Sequence, residues 1–144
     1  MTENKNISEI IERDGVYVGT IRGVSMRPML RDGRDTVVIA SASGRLKKYD
    51  VALFRHNGRY ILHRVVKVLP DSYITCGDNS VNKERVNDSE IVGVLCEFYR
   101  GERHCRPDSP FNALYSRMSV FFMPLRIFSR RTALSVARAF KRKR

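Results

Sequence analysis

Apolar and polar residues along the chain follow two different periods. Ile7, Ile10 and Ile11 recur at the spacing of a helix face, with Asn6 or Ser8 available as an N-cap and Gly15 as a stop. They predict a short amphipathic helix over 7–14. From there to residue 99 the period is that of strands. Residues 16–21 alternate, 36–40 are short and β-branched, and 51–56 form a third run. Asn57-Gly58 is the strongest hairpin signal in the chain, and a long strand over 59–69 follows it. Pro70-Asp71 turns the chain, 72–76 returns, and 91–99 closes the set. Turns fall at 31–35 and a polar loop at 41–48. Many strands with almost no helix predict a mainly β fold, either coiled antiparallel sheets or a partly open barrel.

After Gly101 the pattern changes. Residues 106–110 read as a linker carrying two prolines. Residues 111–128 are rich in large apolar side chains but contain Arg117 and Arg126, and Pro124 interrupts them. Residues 132–140 place Leu134, Ala137 and Phe140 on one helical side, with Arg131, Arg138 and Arg142 elsewhere. An apolar face beside a cationic one is the pattern of a helix lying in a membrane interface. Four parts are therefore expected: a helix at 1–15, a β domain at 16–100, a linker at 101–110 and a basic helical tail at 111–144.

Charge sharpens this division. The 144 residues carry a formal net charge of +12. Residues 101–144 contribute +9 of it and residues 1–100 only +3. The tail suits an anionic lipid surface or a nucleic acid, and of these the lipid surface is the expected contact. The three cysteines, Cys76, Cys96 and Cys105, are odd in number and form no CxxC pair. They predict free thiols in a reducing cytoplasm. With three scattered histidines they make no metal set, and neither metal nor cofactor is expected. The first residues are polar, and no run of about 18 apolar residues occurs anywhere. A cytoplasmic protein with peripheral contact at the inner membrane face is the expectation.

The candidate chemistry lies in three short segments of the β region. In Gly23-Val24-Ser25-Met26-Arg27-Pro28-Met29-Leu30 a glycine and a proline bracket a serine. Such a turn can present a hydroxyl rigidly, but serine is a poor nucleophile without a base. His63, in Leu62-His63-Arg64-Val65-Val66, is the candidate base. The third segment is Thr75-Cys76-Gly77-Asp78-Asn79-Ser80. In this order and spacing, over residues 16–95, the segments resemble the type I signal peptidases of the S24/S26 group. Their boxes read roughly Gly-x-Ser-Met-x-Pro-x-Leu, then Lys or His before Arg-Val-Val, then Gly-Asp-Asn. His63 stands where bacterial members carry lysine, so the likeness is to the His-bearing branch typified by the endoplasmic-reticulum enzyme.

The resemblance implies a serine endopeptidase that cleaves a precursor or leader peptide after small side chains, the substrate lying extended along the site. Ser25 would be the nucleophile, with its own N–H in the oxyanion hole, and His63 the general base. Imidazole, with a reference pKa of about 6.5, suits proton transfer in both directions near neutrality. Asp78 belongs to the third motif and is the first candidate for the orienting carboxylate. Glu84 and Asp88 lie in the stretch where the endoplasmic-reticulum branch places its aspartate, and are the alternatives. Asp35 and Asp50 match positions that look structural, and Arg64 suggests charge pairing. Two other classes stand beside the peptidase: a non-catalytic module that binds extended peptides on the same fold, and a tethered protein acting through its basic tail on membrane or nucleic acid.

Overall fold

The structure is a computed structural model describing residues 6–143. Its first element is helix α1 (Ile7–Asp14), which ends at Gly15, whose N–H bonds to the Ile11 carbonyl at 2.8 Å. Ile11 is buried, and Ile7 packs partly against the same cluster. Eight strands follow: β1 (Val16–Thr20), β2 (Asp35–Ala40), β3 (Val51–His56), β4 (Arg59–Val68), β5 (Ser72–Cys76), β6 (Lys83–Asn87), β7 (Ile91–Arg100) and β8 (Arg103–Cys105). Two helices, α2 (Pro110–Phe121) and α3 (Met123–Arg142), end the chain.

All strand pairs are antiparallel, in the order β1-β2-β7-β3-β4-β5-β6, with β8 folded back on β7. The sheet curls into a half-barrel, so the protein is mainly β as its alternation implies. The β3–β4 hairpin turns on Asn57 and Gly58, whose φ angles of 50° and 75° are both positive. That geometry matches the right-handed twist of the strands it joins.

Curling buries both faces of the middle strands. In β3 the run Val51-Ala52-Leu53-Phe54 is buried throughout. Successive side chains leave a strand on opposite sides. Val51 and Leu53 therefore join Val37, Ile39, Leu95 and Phe98 in one cluster, while Ala52 and Phe54 join Leu46, Val65, Tyr73 and Val86 in another. A side chain such as Phe54 contributes roughly 1.5–3 kcal/mol by such burial.

Two strands lie where none was expected. β6 occupies 83–87, where four of five residues are polar and only Val86 is buried. β8 falls inside the expected linker. Nor do the C-terminal helices stand apart from the β domain. Asn112 and Ser116 of α2 are buried, and Met123 caps a third cluster with Val66 and Cys76. The distal part of α3, residues 128–142, is exposed throughout, as is Lys143. No helix among the described residues is long and apolar enough to cross a membrane.

Candidate active site

β1 ends at Thr20, and the chain enters the serine loop through Gly23, whose φ of +82° is a conformation that side chains disfavour. The loop closes on itself through Arg27 N–H to the Val24 carbonyl at 3.2 Å and Leu30 N–H to the Met26 carbonyl at 3.0 Å. Met26, Met29 and Leu30 are buried beneath it, while Ser25 remains half-exposed. Asn79 ties the loop to the third motif. Its N–H bonds to the Ser25 carbonyl at 2.8 Å, and its side-chain amide bonds to the Val24 carbonyl at 3.1 Å.

His63 lies on β4, buried, with Phe54 edge-on to its ring at a centroid distance of 6.2 Å. Gly77 sits between it and the serine. A β-carbon at Gly77 would come 3.0 Å from His63 Nε2, 3.1 Å from Ser25 Cβ and 2.6 Å from the Ser25 carbonyl oxygen. Only glycine lets the three segments approach this closely. The Ser25 hydroxyl and N–H are both free of hydrogen bonds among the described residues.

The carboxylate at the far nitrogen of His63 belongs to Glu84. Its Oε2 lies 3.0 Å from Nδ1 and also accepts the Thr75 hydroxyl at 3.0 Å. The register explains the reach. Thr75 pairs with Glu84 across β5 and β6, while Arg64 pairs with Cys76 across β4 and β5. Glu84 therefore leans diagonally over Thr75 to a histidine two strands away. A carboxylate accepts only, so this contact places the proton on Nδ1 and turns the Nε2 lone pair toward Gly77 and Ser25.

Asp78, expected as the orienting carboxylate, is committed elsewhere. Its two oxygens accept Arg64 Nε at 2.7 Å and Nη2 at 2.8 Å, and the second also accepts the Tyr115 hydroxyl at 2.9 Å. Arg64 follows His63 in the strand and so leaves it on the opposite side. Its remaining donors go to the Tyr49 carbonyl at 2.9 Å, the Ser116 hydroxyl at 2.7 Å and Met29 Sδ at 3.0 Å. All five N–H groups of a buried guanidinium are thus used. Burial, with the Asp78 charge beside it, pushes the Tyr115 hydroxyl well up, so that it stays a donor. Burial likewise pushes up the nearby Cys76 thiol.

The other carboxylates are structural in position. Asp88 pairs with Arg45 at 3.2 Å on the surface, and Asp50 caps the Lys47 N–H at 2.8 Å. Asp35 is fully buried and holds Arg34 and the Arg31 N–H. Burial works against its charge, but these hydrogen bonds prevail and hold its carboxyl below the usual range. Thr75 was named in the sequence only as part of the third motif, without a role, and Tyr115 and Ser116 were not singled out there. Nor were Arg126 and Arg130, which bond to the carbonyls of Gly77 and Ser80 (both 3.4 Å) and of Asn79 (2.7 Å) and hold the third motif from behind. The three cysteines are free. No group of three His, Cys, Asp or Glu among the described residues is placed to hold a metal ion. The chain matches no protein-family model and no curated protein.

Proposed function

We propose that the protein is a serine endopeptidase of the signal-peptidase type, acting through Ser25, His63 and Glu84 on an extended precursor or leader peptide. The observation that carries this reading is the convergence at Gly77. The serine loop and the His63 ring flank one glycine, and Glu84 holds the ring from its other nitrogen. Ser25 Oγ attacks the scissile carbonyl as its proton passes to His63 Nε2. The free Ser25 N–H donates to the oxyanion. His63 then gives the proton to the leaving amine, and the acyl ester on Ser25 is hydrolysed by water with His63 again as base. Glu84 takes the place first assigned to Asp78. It keeps the ring in one tautomer and supports the imidazolium as it forms.

β1 is an edge strand that runs into the serine loop, with Val18 exposed. A peptide pairing with that edge would pass the nucleophile in extended form. The free thiols suit a reducing compartment, so the substrate is met in the cytoplasm or at the inner face of the membrane.

The test is incubation with candidate precursor peptides, read by mass spectrometry. Cleavage at one bond, abolished in folded Ser25→Ala, is expected; cleavage undiminished in that variant removes the nucleophile. A second reading, a peptide-binding module without catalysis, is favoured by one feature: Ser25 Cβ and His63 Nε2 flank Gly77, yet no hydrogen bond joins the two side chains among the described residues. Catalytic hydrogen bonds often tighten only with substrate bound. Tight binding of peptides that are never cut would decide for the module.

A further inference from the structure

The C-terminal helices follow one another with backbone hydrogen bonds across their junction and act as one rod. The Phe122 N–H bonds to the Met118 carbonyl at 2.9 Å and the Arg126 N–H to the Phe122 carbonyl at 3.0 Å, across the break before Pro124. One side of the rod holds the domain through Asn112, Ser116 and Met123. The other side carries Phe111, Leu114, Met118, Phe121, Leu125 and Phe128, each at least 50% exposed. They follow one another at intervals of three or four residues, with no charge among them. A contiguous row of exposed apolar side chains on a single side marks an interaction surface.

The charges beside the stripe are all of one sign. After Asp108 the sequence holds nine Lys and Arg and no Asp or Glu. Arg126, Arg130 and Arg131 turn inward to carbonyls of the 77–81 segment. Arg117, Arg138, Lys141 and Arg142 are exposed, and none has an acid partner among the described residues.

We propose that α2 and α3 together form a docking surface for an anionic lipid bilayer. Phenylalanine and leucine side chains enter the boundary between headgroups and acyl chains, and the flanking cations meet lipid phosphates. The positive charge argues against a second copy of the chain, which would bring two strongly basic segments together. A nucleic acid would use the arginines but leave the apolar stripe in water. The inward arginines join this surface to the loop carrying Gly77 and Asn79, so docking fixes how the candidate site faces the bilayer. The proposal does not rest on the peptidase reading.

Cosedimentation of the full chain with phosphatidylglycerol-containing vesicles, against pure phosphatidylcholine vesicles, tests it. Binding to the anionic vesicles only, weakened by salt, is expected. Phe121→Ser/Leu125→Ser/Phe128→Ser and Arg138→Gln/Lys141→Gln/Arg142→Gln should each lower the bound fraction about tenfold with an unchanged circular dichroism spectrum. Wild-type protein left in the supernatant with anionic vesicles overturns the proposal. So does a serine variant that binds as wild type, since charge alone would then act, as on nucleic acid. A stable dimer in sedimentation analysis, made monomeric by the serine substitutions, would assign the stripe to a second copy.

Discussion

His63 and Arg64 are neighbours in sequence and face opposite sides of β4, and each takes its own carboxylate. Glu84 → Gln should keep the size and much of the polarity of the side chain while removing the charge that holds the His63 ring. A rate loss of about 10²–10⁴-fold is expected, with little change in melting temperature. Asp78→Ala should act on the fold instead. It leaves the buried Arg64 without its bidentate partner, a loss of about 3–5 kcal/mol. Cleavage rates and thermal melts on the two variants separate the roles, and the reverse pattern would return the orienting role to Asp78. Gly77→Ala tests the convergence itself. The new β-carbon would lie 2.6 Å from the Ser25 carbonyl oxygen, on backbone that cannot rotate away. Activity should fall by at least about tenfold, with a stability loss of about 1–3 kcal/mol, measurable by denaturant titration. That Ser25 and His63 would meet was legible because short motifs surround them, and the two flank Gly77. Choosing among three carboxylates was not possible from spacing, because it depends on which side of a strand each partner leaves. That in turn depends on a register that the polar β6 segment does not advertise.

At the scale of elements, the strands with apolar alternation were legible to within a residue or two, as were α1 with its stop at Gly15 and the break near Pro124. β6 and β8 were not, because strand pairing there comes from neighbours and not from burial: in β6 four of five side chains stay out of the core. The C-terminal helices misled through composition. Nine cations suggest a basic tail set apart from the β domain, yet α2 places Ser116 and Tyr115 on the buried Arg64–Asp78 pair. Truncation at Gly101 should therefore leave an insoluble or molten β domain. Truncation after Thr132 removes, among the described residues, only exposed ones and should shift the melting temperature by no more than a few degrees. Soluble expression and circular dichroism melts of the two truncations check this. A shorter form as stable as the full chain would mean that the Arg64 cluster can be completed without α2.

At the scale of the whole molecule, the curl of the sheet turns separated motifs into one site. β4, β5 and β6 lie side by side, the serine loop closes over their end, and α3 grips the third motif from outside. The charge asymmetry follows the same plan, with the basic helices beside the site and the near-neutral sheet beneath it. The central claim is that Ser25 is an activated nucleophile, and covalent labelling by a fluorophosphonate reads that chemistry without knowledge of the substrate. The folded full chain should acquire one adduct, mapped by mass spectrometry to the peptide carrying Ser25. The adduct should be absent from Ser25→Ala and should form at least about 10²-fold more slowly in His63→Ala. A folded wild-type chain that stays unlabelled at Ser25, or one labelled equally fast without His63, would contradict the peptidase reading.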